Sequence, residues 1–432
     1  MRLLSKLKGS HLTRDLSYVF LSQIIIMICA FALNKIVSIS AGVEGYGLYN
    51  LINKFAYILN SFMAGGVVIA LPRALARYSY YDSNIKAYLY PSALRILIGY
   101  TVLFGLIIII NPSFFSEFFF KENGLYYVLL ATFLKAFVQA YGMINYSYFQ
   151  GCGNYKMYNK TQIVADLLLV ALSFVARAEL LKMIFVSYSF MVLFHFFVMK
   201  KWILKGKGTR VLEKRYLNKA SKSLAIYGFP RMVHKFIFQI QNILPSIIIL
   251  HKLTYNDVGL FAAGMTVKNT IAPIFAITSS VLLQRISLYQ KKGDLRLIQK
   301  IMTLLTLTFL VISILGVIAI LVFDRLIILF LFSNEFIAVT EVLIYFALSI
   351  IPSSLHQLFC SPLDALSKTP YNLYTVIIST VIFLFMLFRA NSIYACSRAY
   401  LYCSIISCLL TLFFWHKEFS KIKRQSIHSN EC

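Results

Sequence analysis

The stretch KKWILKGKGTRVLEKRYLNKASK, residues 200–222, is a polar insert near the middle of an otherwise apolar chain. It holds nine lysines and arginines, one acidic residue and two glycines. So many cations are costly to move across a bilayer, and they therefore mark the side of the membrane on which they stay. We interpret this stretch as a cytoplasmic hinge between two membrane-embedded halves.

The composition around the hinge is that of a membrane protein. Of the 432 residues, 59% are hydrophobic and 13% are charged, and the mean hydropathy is +0.74. A hydrocarbon core about 30 Å thick needs about 20 apolar residues per helix. The apolar runs predict an all-α polytopic protein with about twelve transmembrane helices, at 16–38, 46–70, 88–110, 124–149, 161–177, 183–202, 224–250, 258–284, 301–323, 338–360, 373–389 and 394–415. Pro72 is expected to end the second of these spans.

The basic residues are distributed unevenly between the two sides of these spans. A net charge of +26 would ordinarily suggest a nucleic-acid partner. However, 28 of the 42 lysines and arginines lie on the hinge side and six on the opposite side. This bias is the positive-inside pattern, so both termini are predicted to be cytoplasmic. The basic residues on the cytoplasmic side then lie next to membrane lipids, including anionic headgroups. Because membrane topology accounts for the positive charge, no nucleic acid is expected as a partner.

The two halves resemble each other. Gly47-Leu48-Tyr49 matches Gly259-Leu260-Phe261, and the inner loop at 150–158 matches 364–372 at a similar offset. Because six spans return the chain to its starting side, these matches predict a duplicated six-helix bundle. The expected domains are an N-terminal bundle (1–199), the hinge (200–222), a C-terminal bundle (223–416) and a basic cytoplasmic tail (417–432). Such an architecture leaves a cleft between the two lobes, and rocking of one lobe against the other gives alternating access.

Polar side chains recur at helical spacing within several predicted spans. Asn53 and Lys54 belong to such a stripe in the second span, and Lys135 and Gln139 share a face of the fourth. The other deep polar residues are Arg231, Lys235, Gln239 and Asn242 in the seventh span and Lys268 in the eighth. Five of these residues are cations: Lys54, Lys135, Arg231, Lys235 and Lys268. If all five faced lipid, the free energy of membrane insertion would be less favourable by on the order of 12–17 kcal/mol. We therefore expect them to line a polar cavity.

Asp166 is an acidic residue well inside a span, the fifth. Two readings stay open for it. It is either a proton or cation site that couples transport to a proton or sodium gradient, or a structural partner for a nearby lysine.

A cavity with an excess of cations favours an anionic substrate. The tyrosines and amides beside the lysines suit sugar hydroxyls, through stacking and hydrogen bonds. One amphiphile fits both features: a polyprenyl diphosphate that carries an oligosaccharide. Its diphosphate would meet the cations, its glycan would occupy the wet cleft, and its lipid tail would stay in the membrane.

Four segments carry a resemblance to a known family. GVEGYGLYN (42–50) and GGVVIALPRALARY (65–78) resemble the first loop and second span of the polysaccharide flippases, the O-antigen (Wzx-type) transporters of the multidrug/oligosaccharidyl-lipid/polysaccharide (MOP) superfamily. QGCGNYKMYNKTQ (150–162) and VGLFAAGMTVKNTIAPI (258–274) resemble their fourth-to-fifth loop and eighth span. The resemblance implies a V-shaped pair of six-helix bundles with a cationic lumen.

The same resemblance implies a function and a location. It implies movement of undecaprenyl-diphosphate-linked repeat units from the cytoplasmic to the periplasmic leaflet of the bacterial inner membrane. Other proteins of polysaccharide assembly are then expected partners. The family supplies no fixed catalytic motif, so the site residues above depend on depth and periodicity alone.

Three other functions are compatible with parts of this pattern. A drug or organic-cation exporter of the same superfamily would need carboxylates in its cleft, and Asp166 offers one. A glycosyl polymerase or ligase would need an acid/base pair on a sizeable outer loop, and no such pair is evident. A passive channel or scramblase suits the prolines of spans 7, 8 and 10 less well than a moving transporter does. We therefore expect a transporter rather than an enzyme, with no cofactor and no metal.

Overall fold

The chain is all-helical. The computed structural model describes residues 11–431 apart from 82, 123, 205–212, 368, 370 and, between 272 and 293, all but Phe275, Leu282, Ile286 and Tyr289. No β-strand occurs among the described residues. The prediction of an all-α protein is confirmed. The chain divides into two compact units, Met1–Ile247 and Ile248–Cys432.

The first unit is built around one central helix. Its helices are α1 (His11–Met63), α2 (Val67–Tyr81), α3 (Ser83–Ile110), α4 (Pro112–Phe120), α5 (Tyr126–Gly151), α6 (Tyr155–Val175), α7 (Leu180–Val198) and most of α8 (Lys214–Lys252). A turn of π-helix, Met199–Ile203, follows α7. Helix α5 packs against α1, α2 and α7. It therefore places Lys135 in the interior of this unit.

The second unit is organised around its last helix. It contains α9 (Tyr255–Asn269), α10 (Leu295–Val322), α11 (Asp324–Leu331), α12 (Val339–Leu348), α13 (Ile350–Leu366), α14 (Tyr371–Arg389) and α15 (Ile393–Glu431). A 3₁₀ turn, Asn334–Ala338, lies between α11 and α12. Helix α15 packs against α12, α13 and α14, and α9 packs against α12. Tyr400 on α15 thereby comes within reach of Lys268 on α9.

The protein is a multi-pass membrane protein. In the part of the chain that the structure describes, eight helical segments are long and apolar enough to cross a bilayer: Ser22–Met63, Ala87–Ile110, Tyr126–Gly151, Leu180–Ile203, Leu295–Val322, Asn334–Asp364, Tyr371–Arg389 and Ile393–Ile422. Large apolar side chains are exposed along them, for example Ile110 (81%) and Leu409 (61%). A water-soluble surface rarely carries so much apolar area, whereas a lipid-facing surface requires it.

The predicted spans map onto these segments unevenly. Span 1 and most of span 2 lie within α1, which consists of two helical stretches joined by a kink at Gly42, where φ is 64°. Glycine takes this conformation without a steric penalty. Spans 5 and 7 are the helices α6 and α8, whose polar residues include Asp166 and Lys235. The eighth span lies partly outside the described residues, and so does Arg285, which ends the second copy of the proposed repeat.

The expectation that Pro72 ends the second span is wrong. Pro72 lies inside α2, which runs from Val67 to Tyr81. The interruption comes earlier, as a turn at Ala64–Gly66. A proline at this position removes the backbone hydrogen bond to the carbonyl of Val68, but α2 continues through it to Tyr81.

The predicted hinge is described only in part, because 205–212 lie outside the described residues. Lys200 and Lys201 belong to the π turn, and the stretch from Lys214 to Lys222 forms the beginning of α8. The division into two compact units falls at Ile247, inside α8. The role of 200–222 as a cytoplasmic hinge, with the domain limits drawn from it, stays a prediction.

Two glycines allow a close backbone approach within the first unit. A Cβ added at Gly66 would lie 2.4 Å from the carbonyl oxygen of Gly228 on α8, and one added at Gly228 would lie 2.9 Å from the carbonyl carbon of Gly66. Real Cβ atoms do not approach backbone so closely. Any larger residue at either position must therefore push α8 away from the turn at Ala64–Gly66.

We expect Gly66→Ala to destabilise the protein by about 1–3 kcal/mol, because the new methyl group overpacks a backbone contact. The matched control is Gly99→Ala on α3, where an added Cβ meets nothing within 4 Å. At that exposed helical position alanine should stabilise the helix by up to about 1 kcal/mol. Thermal unfolding of the detergent-solubilised variants measures both effects. Equal melting temperatures for the two variants would contradict the close approach.

Candidate functional site

Lys135 is buried in the first unit in a cage of uncharged groups. Its side chain is 1% exposed, and its ammonium group donates a hydrogen bond to Oδ1 of Asn53 on α1. The Nζ atom lies 4.4 Å from the ring centroid of Tyr49 and 5.0 Å from that of Tyr188 on α7. Both distances are in the range of cation–π attraction. The structure thus brings Asn53 and Lys135 together, as members of one cluster.

Lys54 makes a separate contact on the adjacent position of α1. Its ammonium group donates to Oγ of Ser246 on α8 at 2.5 Å. Ser246 is fully buried and Lys54 is half-buried. Two consecutive residues of α1 thus take part in separate hydrogen bonds. Asn53 accepts one from Lys135 on α5, and Lys54 donates the other to Ser246 on α8.

Neither lysine has an acidic partner among the residues that the structure describes. No carboxylate of the described residues lies within 4 Å of the Nζ atom of Lys54 or Lys135. A buried charge that lacks an opposite charge carries a large desolvation cost, which hydroxyl, amide and ring contacts offset only in part. A site that holds such charges is suited to an anionic ligand that completes their neutralisation.

Asp166 lies on α6, in the same unit as Lys54 and Lys135. It lies within electrostatic range of Tyr57, Tyr146 and Tyr188, and no base among the described residues acts on it. Both readings of Asp166, as the partner of a nearby lysine and as a coupling site for protons or sodium, stay predictions.

Lys268 occupies a comparable setting in the second unit. It donates to the hydroxyl of Tyr400 at 2.5 Å, and its Nζ atom lies 4.9 Å from the same ring. The ring centroid of Tyr400 lies between 5.7 and 6.2 Å from those of Phe261, Phe346 and Phe383. A lysine on an aromatic wall is therefore found in each unit.

The remaining predicted residues are less closely tied to these lysines. Lys235, Gln239 and Asn242 are half-buried on α8, and Gln139 is half-buried on α5. The buried Oε1 atom of Gln139 has no hydrogen-bond partner in the part of the chain that the structure describes. Arg231 lies on α8, and its side chain is outside the described part of the structure. Whether these residues bind substrate stays a prediction.

Sequence reasoning did not select the residues that hold the lysines. Each of these residues lies far in sequence from the lysine that it contacts, and each is of a type that is common in membrane spans. They are Tyr49, Tyr188, Ser246 and Tyr400. Tyr49 alone carried a usable signal, because it lies one helical turn before Asn53 on the polar stripe. Among the described residues, no group of three or more His, Cys, Asp or Glu is placed to hold a metal ion.

A scan against protein-family models and a search of curated proteins each found no match. Solved structures do match. A multidrug resistance MATE family transporter of the MOP superfamily, in an inward-facing conformation, gives a TM-score of 0.70 at 13% identity, covering 92% of this chain and 95% of that one. Lipid II flippase MurJ, in an inward closed conformation, gives a TM-score of 0.65 at 16% identity, and the match covers 96% of this chain and 91% of that one.

A third structure is a MOP superfamily transporter from Pyrococcus furiosus, described as having a binding pocket of reverse polarity that suggests a different function. It gives a TM-score of 0.58 at 14% identity, covering 95% of this chain and 94% of that one. Identities this low establish the fold alone. The chain therefore has the fold shared by these MOP superfamily transporters, among which are both drug transporters and a lipid flippase.

Proposed function

We propose that this protein is a flippase that moves a polyprenyl-diphosphate-linked oligosaccharide from the cytoplasmic to the opposite leaflet of a bacterial inner membrane by alternating access. Undecaprenyl-diphosphate-linked units of O-antigen or a related surface polysaccharide are the proposed substrate class. The observation that carries the proposal is the set of embedded lysines, Lys54, Lys135 and Lys268, whose ammonium groups contact only uncharged groups among the described residues.

The chemistry of a diphosphate fits these lysines. Its anionic oxygens accept charge-assisted hydrogen bonds from ammonium groups, and these bonds are roughly twice as strong as neutral ones. In a medium of low dielectric constant the attraction is stronger still. Tyrosine rings beside the lysines offer stacking faces for sugars and hydroxyls that bond to them. The prenyl chain requires no protein site, because it stays in the bilayer.

Lys135 imposes a condition on this mechanism. With 1% of its side chain exposed, it reaches a phosphate only after its contacts with Asn53, Tyr49 and Tyr188 open. Alternating access supplies such an opening, since helices rearrange between the two states. We propose a proton or sodium gradient as the energy source, with Asp166 as the coupling residue, and 200–222 as the hinge.

A second candidate is export of a drug or organic cation, favoured by the fold shared with a multidrug transporter. Aromatic walls also bind cations. Against it, Lys54 and Lys135 in the first unit would repel an incoming cation, as would Lys268 in the second, and no carboxylate of the described residues pairs with any of the three. The Pyrococcus protein, whose binding pocket is described as having reverse polarity, shares this fold.

Transport by the purified protein in liposomes distinguishes the two candidates. One arm contains a fluorescent polyprenyl-diphosphate oligosaccharide, whose outer-leaflet fraction is read by quenching under an imposed proton or sodium gradient. The other arm contains a fluorescent organic cation. We expect gradient-dependent movement of the lipid-linked sugar and none of the cation. Movement of the cation alone would establish the exporter and overturn the flippase.

A further inference from the structure

The cage around Lys135 has the composition of a binding site for an organic ammonium ion. Tyr49 and Tyr188 present two ring faces at 4.4 and 5.0 Å from the Nζ atom, and Asn53 presents a carbonyl oxygen. Both tyrosines are nearly buried, at 4% and 6% exposure. Ring faces together with one hydrogen-bond acceptor are what a desolvated alkylammonium ion requires.

We propose that Lys135 is a tethered occupant of this aromatic cage, and that its ammonium group excludes organic cations from a site that would otherwise bind them. Lys135 is thereby a residue that determines specificity. The exclusion is both steric and electrostatic. The side chain is among the largest of the fully buried ones, and its charge has no carboxylate within 4 Å among the described residues.

The tether also has an entropic advantage over a free ligand. While these contacts are closed, helix α5 holds Lys135 next to the rings, so the cage is filled at any concentration of competing cation. A free ammonium ion must give up its translational freedom to bind. A cation therefore gains entry only if the lysine is removed or withdrawn. This inference concerns the cage alone and does not depend on the transport of a lipid-linked sugar.

Chemical rescue of Lys135→Ala tests the proposal directly. The substitution removes Cγ, Cδ, Cε and Nζ, and n-propylammonium restores three carbons and one ammonium group. We expect the purified variant to unfold at a lower temperature than the wild type. Adding n-propylammonium chloride should raise its unfolding temperature saturably by several degrees relative to sodium chloride at equal ionic strength. The wild type should show no such rise.

Three controls separate the cage from non-specific effects. n-Propanol has the same shape without the charge and should not rescue. Tetramethylammonium keeps the charge without an N–H donor and should rescue less. Lys182→Ala, at an exposed position of α7, should respond to none of these ligands.

The proposal is overturned if n-propylammonium acts no better than sodium chloride on Lys135→Ala, or if it stabilises the wild type equally. Should Lys135→Ala not yield folded protein, Lys135→Val retains more of the side chain, and ethylammonium is then the matching probe. Adding Tyr188→Leu to the alanine variant should reduce the rescue. Failure of lipid-linked sugar transport with successful rescue would leave the cage proposal intact and remove only the flippase.

Discussion

Lys135→Met protein is expected to fold and to have lost transport of lipid-linked oligosaccharide. Methionine fills nearly the same volume as lysine and makes favourable contacts with aromatic rings, so the two tyrosines keep a packing partner. Replacing a buried, unneutralised charge by an apolar group of similar size is often neutral or stabilising. The substitution leaves Oδ1 of Asn53 without the hydrogen bond that Lys135 donates, which should lower the free energy of unfolding by about 1–3 kcal/mol.

The effect on transport should be much larger than the effect on folding. A truncated contact between a buried charge and a charged ligand costs about 2–5 kcal/mol, which corresponds to about thirtyfold or more in transport efficiency. Liposome transport and thermal unfolding are measured on the same preparation. Lys182→Met, at an exposed position, is the control and should transport normally. Undiminished transport by Lys135→Met would remove this lysine from the mechanism.

The fold was predictable because the membrane imposes a simple rule on sequence. A span needs a run of apolar residues, and no other feature of the chain is required to locate it. The rule does not locate breaks between helices. The kink within α1 lies at Gly42, and the turn at Ala64–Gly66 comes before Pro72, which lies inside a helix. Such details depend on contacts between distant segments, including that between Gly66 and Gly228.

Only part of the candidate site was predictable for the same reason. Depth in a span identifies Lys54 and Lys135 as residues that require partners, because hydrocarbon excludes them. It does not identify the partners. Ser246 lies 192 positions from Lys54, and Tyr188 lies 53 positions from Lys135 on another helix. Helical periodicity relates residues within one helix and carries no information about which helices are neighbours.

Lys54→Ala combined with Lys235→Ala is expected to abolish surface polysaccharide in cells whose own gene copy has been deleted. Both side chains are half-buried within the first unit, so their truncation leaves smaller cavities than a change in the core would. Protein level in the membrane should therefore stay normal. The loss of two positive charges should remove about 2–5 kcal/mol of attraction for each diphosphate contact.

Ser246→Ala separates the charge of Lys54 from its hydrogen bond. This variant removes the oxygen that accepts from Lys54 at 2.5 Å and leaves the ammonium group in place. If attraction for a diphosphate is what matters, Ser246→Ala should keep polysaccharide at the surface, because a free ammonium group is still available to the substrate. Quantitative immunoblotting of the protein and gel analysis of the glycan measure both outcomes. Normal polysaccharide in the double lysine variant, or its loss in Ser246→Ala at equal protein level, would show that packing around α8 rather than charge controls transport.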